Sequence, residues 1–134
     1  MSANLQVPIL VADDDPDILN YFRAIFKSTQ SHLYYAANGI EALQIAQKRK
    51  IEVAFIDINM PKLDGLKTLT KWKAMQPDTQ IVIISSYSDG NLVRTAIRNG
   101  AFTYLFKPLN KMDIFSVTFK CLKNVGIEDV VSFQ

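Results

Sequence analysis

Asp13, Asp14 and Asp15, with Asp17 two positions on, crowd four carboxylates into five positions. Like charges at that density repel, and such a cluster asks for a cation. A further carboxylate, Asp57, follows the apolar run Val53–Ile56 in the segment Phe55-Ile56-Asp57-Ile58-Asn59-Met60-Pro61. Ser85-Ser86 closes the run Gln80–Ser85, and Lys107-Pro108 follows the run Thr103–Phe106. These side chains make chemical sense as a set. Hard oxygen ligands in small number suit Mg²⁺, or Mn²⁺ in its place. A carboxylate oxygen can attack phosphorus and hold the phosphoryl group as an acyl phosphate. The charge on the transferring group then wants a cation on one side and lysine or hydroxyl donors on the other. With no water-activating base in evidence, the set suits accepting a phosphoryl group more than discharging it rapidly.

Each residue also has a plainer reading. Asp15 stands before Pro16, an N-cap signature, and is assigned that role. Taken alone, Asp57 would serve equally well as a turn carboxylate; Lys107 could be a solvated lysine, but its place in Lys107-Pro108 just after a buried strand speaks against that. The elements that carry these residues separate the alternatives. Short apolar runs at Val7–Ala12, Leu33–Ala36, Val53–Ile56, Gln80–Ser85 and Thr103–Phe106 are strand-sized, several of them β-branched and nearly continuous. Strands buried on both faces look like this. Between them lie helical patterns with recognisable ends. Asp15-Pro16 precedes Ile18, Leu19, Phe22, Ile25 and Phe26, and Asn38 caps a segment carrying Ile40, Leu43 and Ile45 that ends in Lys48-Arg49-Lys50. Asp64 caps a segment with Leu66, Leu69 and Trp72, stopped by Pro77. A fourth helix is expected from about Asp89 to Gly100, whose glycine suits a left-handed C-terminal position, and a fifth from Asn110 with Ile114, Phe115, Val117, Thr118 and Leu122.

Strands alternating with helices predict an α/β fold with a parallel sheet covered on both faces. An open sheet of this kind binds its ligand beyond the carboxyl ends of the strands. Asp13, Asp14, Asp57, Ser85 and Lys107 all stand directly after, or at the end of, such runs. One rim should therefore gather three carboxylates, a hydroxyl and an ammonium.

Bulk properties bound the rest. A chain of 134 residues, 49% of them apolar and 21% charged, is one ordinary globular domain with enough length for a real core. Fifteen basic against thirteen acidic residues leave a net charge of +2, too small to argue for nucleic acid without a clustered patch. Lone Cys121 excludes an internal disulfide and fits a reducing, cytoplasmic setting. Neither a leader nor a run of roughly 18 apolar residues is apparent, so no membrane association is expected. Lys48-Arg49-Lys50 is read as a helix end complementing the macrodipole, His32 as a loop residue before the second strand, Trp72 as half-buried packing and Cys121 as an apolar packing residue.

The series Val11-Ala12-Asp13-Asp14-Asp15-Pro16, Asp57-Ile58-Asn59-Met60-Pro61-Lys62-Leu63-Asp64-Gly65, Ser85 and Tyr104-Leu105-Phe106-Lys107-Pro108 resembles the receiver domains of two-component response regulators, in their order and spacing, from about Val7 to Asn124. The resemblance implies a flavodoxin-like doubly wound (βα)5 fold with strand order 2-1-3-4-5. It implies Asp57 as phosphoacceptor, with Asp14 binding Mg²⁺ directly, Asp13 mainly through water, and the backbone carbonyl of Asn59 completing the protein ligands. Ser85 takes the switch hydroxyl position in preference to Ser86, Lys107 pairs with the phosphoryl oxygen beside a cis Lys107-Pro108 peptide, and Tyr104 is the switch aromatic. Tyr87, overhanging the site, and Asn59 would set the lifetime of phospho-Asp57. A histidine kinase or histidine phosphotransfer protein would be the donor, and the chain would catalyse only its own phosphorylation and dephosphorylation. Phosphorylation would alter a face made by the fourth helix, fifth strand and fifth helix, including Arg94, Arg98, Tyr104 and Lys111, to control an output domain or partner, with a homodimer as one outcome.

Rival classes fare worse. A phosphatase of the haloacid dehalogenase type needs a second carboxylate two residues after the nucleophile, where this chain has Asn59. A pseudo-receiver would be expected to have lost part of the acidic set or Lys107, and a nucleotide-binding module would need a glycine-rich first loop. Residues 1–124 are expected to form the domain. Residues 125–134, with apolar Ile127, Val130, Val131 and Phe133, are expected to begin a connector to an absent output domain in preference to a self-packed tail.

Overall fold

The computed structural model describes residues 6–86 and 90–126. Strand β1 (Val7–Ala12) leads to helix α1 (Pro16–Phe26), β2 (Ser31–Ala36) to α2 (Gly39–Lys48), and β3 (Val53–Asp57) to α3 (Gly65–Met75). Then follow β4 (Gln80–Ser85), α4 (Gly90–Arg98), β5 (Thr103–Phe106) and α5 (Lys111–Asn124). All strand pairs are parallel, in the order β2-β1-β3-β4-β5, as expected for the doubly wound fold.

Alternation along the central strands distributes side chains to two layers. Leu10, Ile56, Ile81 and Ile83 point to one face, where Leu69 and Trp72 of α3 and Ala42 and Ala46 of α2 cover them. Ile9, Val11, Phe55, Val82 and Ile84 point to the other, under Phe22 and Phe26 of α1 and Ile114 and Leu122 of α5. Phe22 meets Phe55 at 5.0 Å between ring centroids, and Phe26 meets Phe115 edge-on at 5.3 Å. β1, β3 and β4 are thus almost wholly buried, whereas the edge strands β2 and β5 are mostly half-exposed because each has a neighbour on one side alone.

The starts of α1, α2 and α3 follow the capping chemistry anticipated from sequence, and α5 is capped in the same way. Asp15 accepts from the Asp17 amide at 2.9 Å with Pro16 at the first helical position, and Asp64 accepts from the Lys67 amide at 2.9 Å. Asn38 accepts from Glu41 N at 2.9 Å while Glu41 reaches back to Ala37 N at 2.8 Å, and Asn110 caps α5 through the Asp113 amide at 2.8 Å. Gly100 takes φ +112°, as its place after α4 required.

Four expectations need correction. His32 lies within β2, paired with Pro8, because the strand begins at Ser31 and not at Leu33. Trp72 is fully buried, since α3 presses it onto the sheet beside Ile81 and Ile83. On α2 Ile40 is exposed, although Leu43 and Ile45 pack against the core; the fully buried residues are Gly39, Ala42 and Ala46, whose small size lets α2 approach α3 closely. Asp57 is the last residue of β3 and not the first beyond it. Asp89, Tyr87 and the apolar tail residues Ile127, Val130, Val131 and Phe133 lie outside the described residues.

At the end of the sheet where β3 and β4 begin, a polar latch ties α2 to α3. The Gln76 side chain donates to the Ala46 and Arg49 carbonyls at 2.5 and 2.6 Å and accepts from the Ile51 amide at 3.0 Å. Thr79 Oγ1 donates to the Ile51 carbonyl at 2.7 Å. Buried backbone groups at this turn are thereby satisfied, which no local secondary structure could do.

Gly65 sits against the backbone near the other end. A Cβ there would lie 2.5 Å from the Asp57 carbonyl oxygen and 2.6 Å from Ile58 Cα, both backbone atoms with little room to give. Gly65→Ala is therefore expected to destabilise the domain by about 1–3 kcal/mol in urea unfolding. Gly90→Ala, where nothing lies within 4 Å, should change stability by less than about 0.5 kcal/mol. Equal stability for the two variants would contradict the packing described.

Candidate functional site

The carboxyl ends of β1, β3 and β5 converge on one cluster. Asp13 continues directly from β1, its amide donating to the Ala36 carbonyl at 3.0 Å, so the strand geometry carries its side chain inward. Its carboxylate is completely buried, whereas Asp14, one residue on, is exposed. Asp57 ends the central strand β3 and is 5% exposed, which leaves a narrow opening to solvent. Carboxylate oxygens of Asp13, Asp14 and Asp57 lie within 4.8 Å of one another.

Lys107 ties the group together. Its Nζ lies 3.3 Å from Asp57 Oδ2 and 3.4 Å from Asp13 Oδ2, and its amide donates to the Ser85 carbonyl at 2.8 Å. The Lys107-Pro108 peptide is cis, as the resemblance implied. Burial pulls the Lys107 ammonium towards its neutral form, but the charges of Asp13 and Asp57 outweigh it and hold its pKa above the ordinary value.

Asp13 behaves differently. Burial pushes its carboxyl up from 3.8 to about 6, with Asp57 adding to the rise while the Asp15 amide and Lys107 oppose it. Oδ1 accepts from that amide at 2.9 Å, but Oδ2, also buried, accepts no hydrogen bond of good geometry. A buried carboxylate oxygen short of donors, facing two further carboxylates, fits a hard divalent cation. Asp13, Asp14 and Asp57 offer only oxygen ligands, which suits Mg²⁺ or Mn²⁺ and not a metal that prefers sulfur or imidazole.

The remaining expected residues stand around this core at different distances from the chemistry. The Asn59 amide donates to Asp57 Oδ1 at 3.1 Å, fixing that carboxylate from the following turn. Ser85 ends β4, between β3 and β5, and is 1% exposed, but its hydroxyl donates to the Ser86 carbonyl at 2.9 Å. Tyr104 lies two residues into β5, 42% exposed and packed on Phe106 at 5.0 Å between ring centroids, so its ring is turned outward in this structure. Asp15 is spent on its cap. The full burial of Asp13 and its pairing with Lys107 went unforeseen. The available signal was that Asp13 follows the last apolar residue of the strand, Ala12, directly.

A family model for the response regulator receiver domain matches residues 9–118 of this chain. The chain belongs to that family. Among the receiver's relatives, the transcriptional regulatory protein ZraR of Klebsiella oxytoca is 32% identical over 105 residues, 78% of this chain but 24% of that protein. Sporulation initiation phosphotransferase F of Bacillus subtilis is 26% identical over 114 residues, covering 85% of this chain and 92% of that one. Several curated relatives are thus about four times as long as the stretch that matches the receiver, while the sporulation protein is of similar extent. The solved receiver domain of NtrX from Brucella abortus superimposes with a TM-score of 0.81 at 29% identity, covering 86% of this chain and 98% of that one. A CheY-like receiver from Methanospirillum hungatei shares the fold with a TM-score of 0.85 at 24% identity, over 89% and 95% of the two chains. No helix among the described residues is long and apolar enough to cross a membrane.

The Asp13 environment generates a signed prediction for the metal-free receiver. A carboxyl whose folded pKa is raised binds its proton more tightly folded than unfolded. Stability therefore falls as pH rises from about 4 through about 6, the ordinary and the raised values. Asp13→Asn keeps the acceptor for the Asp15 amide and removes the charge. It is expected to stabilise the metal-free domain at pH 7.5 by on the order of 1–3 kcal/mol, with the gain shrinking towards pH 4. Urea unfolding at both pH values checks this, and a loss of stability at pH 7.5 would refute it.

Proposed function

We propose that this receiver is a phosphorylation-controlled switch whose phosphoacceptor is Asp57. The observation that carries this is the placement of the Asp57 carboxylate at the mouth of the buried cluster, one oxygen held by the Asn59 amide and the other facing Lys107. An oxygen of Asp57 attacks the phosphorus of a phosphohistidine. The P–O bond forms as the P–N bond breaks, and the electron pair of the broken bond returns to the imidazole nitrogen. Orientation of the nucleophile from both sides supplies positioning, which is most of what a loose phosphoryl-transfer transition state needs from a protein.

Asp13 and Asp14 would hold Mg²⁺ together with Asp57, with the backbone carbonyl of Asn59 as a further ligand. Bound there, the cation supplies neutralisation of charge on the phosphoryl oxygens. Lys107 supports the same charge from the opposite side, moving from Asp57 Oδ2 to a phosphoryl oxygen. Ser85 exchanges its bond to the Ser86 carbonyl for one to the phosphoryl group, and Tyr104 moves inward to follow it. Because Ser85 and Tyr104 are not engaged with Asp57 in this structure, both have an alternative state to move to. A shift of a few kcal/mol between two such states is enough for signalling.

The donor would be a histidine kinase or a histidine phosphotransfer protein, and the responding face α4, β5 and α5. Chemistry confined to its own aspartate makes the chain a switch and not a turnover enzyme. A hydrolase of the aspartyl-phosphate type would need an acid/base at position 59, which is Asn59.

Intact-mass measurement after incubation with acetyl phosphate tests the reading. One added phosphoryl group is expected with Mg²⁺, none without it, and none in Asp57→Asn. Ser85→Ala should still be modified, because its hydroxyl is assigned to the switch and not to the attack. Modification of Asp57→Asn to the same extent as the parent chain would place the phosphoacceptor elsewhere.

A further inference from the structure

The two edges of the sheet differ. Strand β5 is 4 residues long and is followed at once by Lys107-Pro108. A short edge beside a proline is a poor template for another strand. Strand β2, Ser31–Ala36, is 6 residues long with no lysine, arginine, carboxylate or proline, and its register with β1 runs unbroken from Val7 opposite Ser31 to Ala12 opposite Ala36. The Val7 amide donates to the Gln30 carbonyl and the Asp13 amide to the Ala36 carbonyl. In a parallel ladder such bonds fall on alternate residues, so the amides and carbonyls of Ser31, Leu33 and Tyr35 point away from the sheet. Among the described residues none hydrogen-bonds to them.

The flanks of that open edge are cationic. Tyr34 and Tyr35 project to opposite faces of the strand. The guanidinium of Arg49, just beyond α2, lies 5.9 Å from the centre of the Tyr34 ring, and that of Arg23 on α1 lies 4.6 Å from the centre of the Tyr35 ring. Among the described residues no carboxylate pairs with Arg23, Lys48 or Arg49. Beside β2 on the α2 side runs an open groove of about 340 Å³ lined in part by Tyr34, Ile45, Lys48 and Arg49. Glu41, the acidic residue in its wall, is engaged with the Ala37 amide at 2.8 Å.

We propose that β2 is a docking edge for an acidic extended segment of another protein, which pairs with it as a further strand of the sheet. Strand addition satisfies the open amides and carbonyls, and the side chains of the added strand fall alternately to the two faces. On one face they enter the groove beside Ile45 and reach Lys48 and Arg49, and on the other they reach Arg23. Carboxylates on either face therefore meet a cation that has no partner of its own. Two alternative occupants fit less well. A second copy pairing β2 with β2 about a two-fold axis would gather Arg23, Lys48 and Arg49 against their own equivalents, with no carboxylate on the strand to answer them. Single-stranded nucleic acid would use the cations and the aromatic rings, but it has no repeating amide to meet the backbone groups of a strand. The docking edge does not depend on phosphoryl transfer, since β2 and β5 are opposite edges of the sheet.

The test uses a fluorescein-labelled peptide of about eight residues, the length of an ordinary strand, alternating valine and glutamate, beside a twin with lysine in place of glutamate. Fluorescence anisotropy is read with the full chain. The acidic peptide is expected to bind at least about tenfold more tightly than the twin, and more weakly as salt is raised. Hydrogen exchange followed by NMR locates it: the Leu33 and Tyr35 amides should slow by at least about tenfold under saturating peptide, while those of β5 should not change. The double variant Arg23→Glu/Arg49→Glu, at two exposed positions, should lose at least about tenfold in affinity for the acidic peptide while keeping the circular dichroism of the parent chain.

Equal binding of the two peptides, no binding of the acidic one, or unchanged affinity in the folded double variant would overturn the proposal. So would peptide binding that leaves the Leu33 and Tyr35 amides unprotected, tighter binding of a single-stranded oligonucleotide of the same net charge, or a concentration-dependent dimer in sedimentation that the acidic peptide dissolves. Protection of those two amides by the acidic peptide and not by its twin, lost in the double variant, sustains it.

Discussion

Burying like charges together is the constraint around which this domain is organised. Asp13 and Asp57 are both almost completely removed from solvent, and one ammonium, that of Lys107, stands between them. The three groups come from β1, β3 and β5, so no local segment could assemble them. The parallel sheet brings the strand ends to a common rim and the apolar layers beneath hold them there. What the domain gains from hydrophobic burial on both faces of β1, β3 and β4 offsets the electrostatic cost concentrated at their tips. Asp13, Asp14 and Asp57 together offer only oxygen atoms, a set that suits a hard divalent cation able to relieve the same repulsion.

The sheet also separates rigid from adjustable parts. Its centre is β1, β3 and β4, nearly continuous in β-branched and aromatic residues and packed on two layers. Asp13 and Asp57 ride on that centre and are correspondingly fixed. Tyr104 sits on the edge strand β5, with fewer neighbours and a ring open to solvent. Ser85 occupies the boundary, on a buried strand but with a hydroxyl that can change partners. With the carboxylates on the rigid centre and Tyr104 on the less packed edge, a change at the cluster can reach the surface without unsettling the sheet.

Much of this was legible from the sequence. Nearly continuous apolar runs located β1, β4 and β5 to the residue, and the capping residues Asp15, Asn38 and Asp64 located the starts of α1, α2 and α3, because both signals act within a few residues. Gathering Asp13, Asp57 and Lys107 required one further rule, that such sheets place their chemistry at the strand ends. Less legible were features set by neighbours distant in sequence. His32 looked like a loop residue because β2 is an edge strand with a mixed pattern. On α2, Leu43 and Ile45 pack against the core as their spacing suggests, while Ile40 is exposed, since close packing against α3 selects Gly39, Ala42 and Ala46 for the innermost positions. Trp72 is buried where a half-exposed position was expected, since its depth depends on how α3 sits on the sheet.

The sequence by itself determined the order of elements, the parallel architecture and the identity of the carboxylates and the lysine that meet. Those follow from periodicity, caps and residue type, which are properties of short segments. Tertiary structure alone decided which carboxylate is buried and which is exposed, that Lys107 bridges Asp13 as well as Asp57, that the Ser85 hydroxyl is bonded to the Ser86 carbonyl, and that the Tyr104 ring is open to solvent. It also decided that Arg23 and Arg49 lie over Tyr35 and Tyr34 beside the open edge of the sheet. Desolvation and charge–charge distance depend on atoms brought together from across the chain, and a linear pattern does not contain those distances.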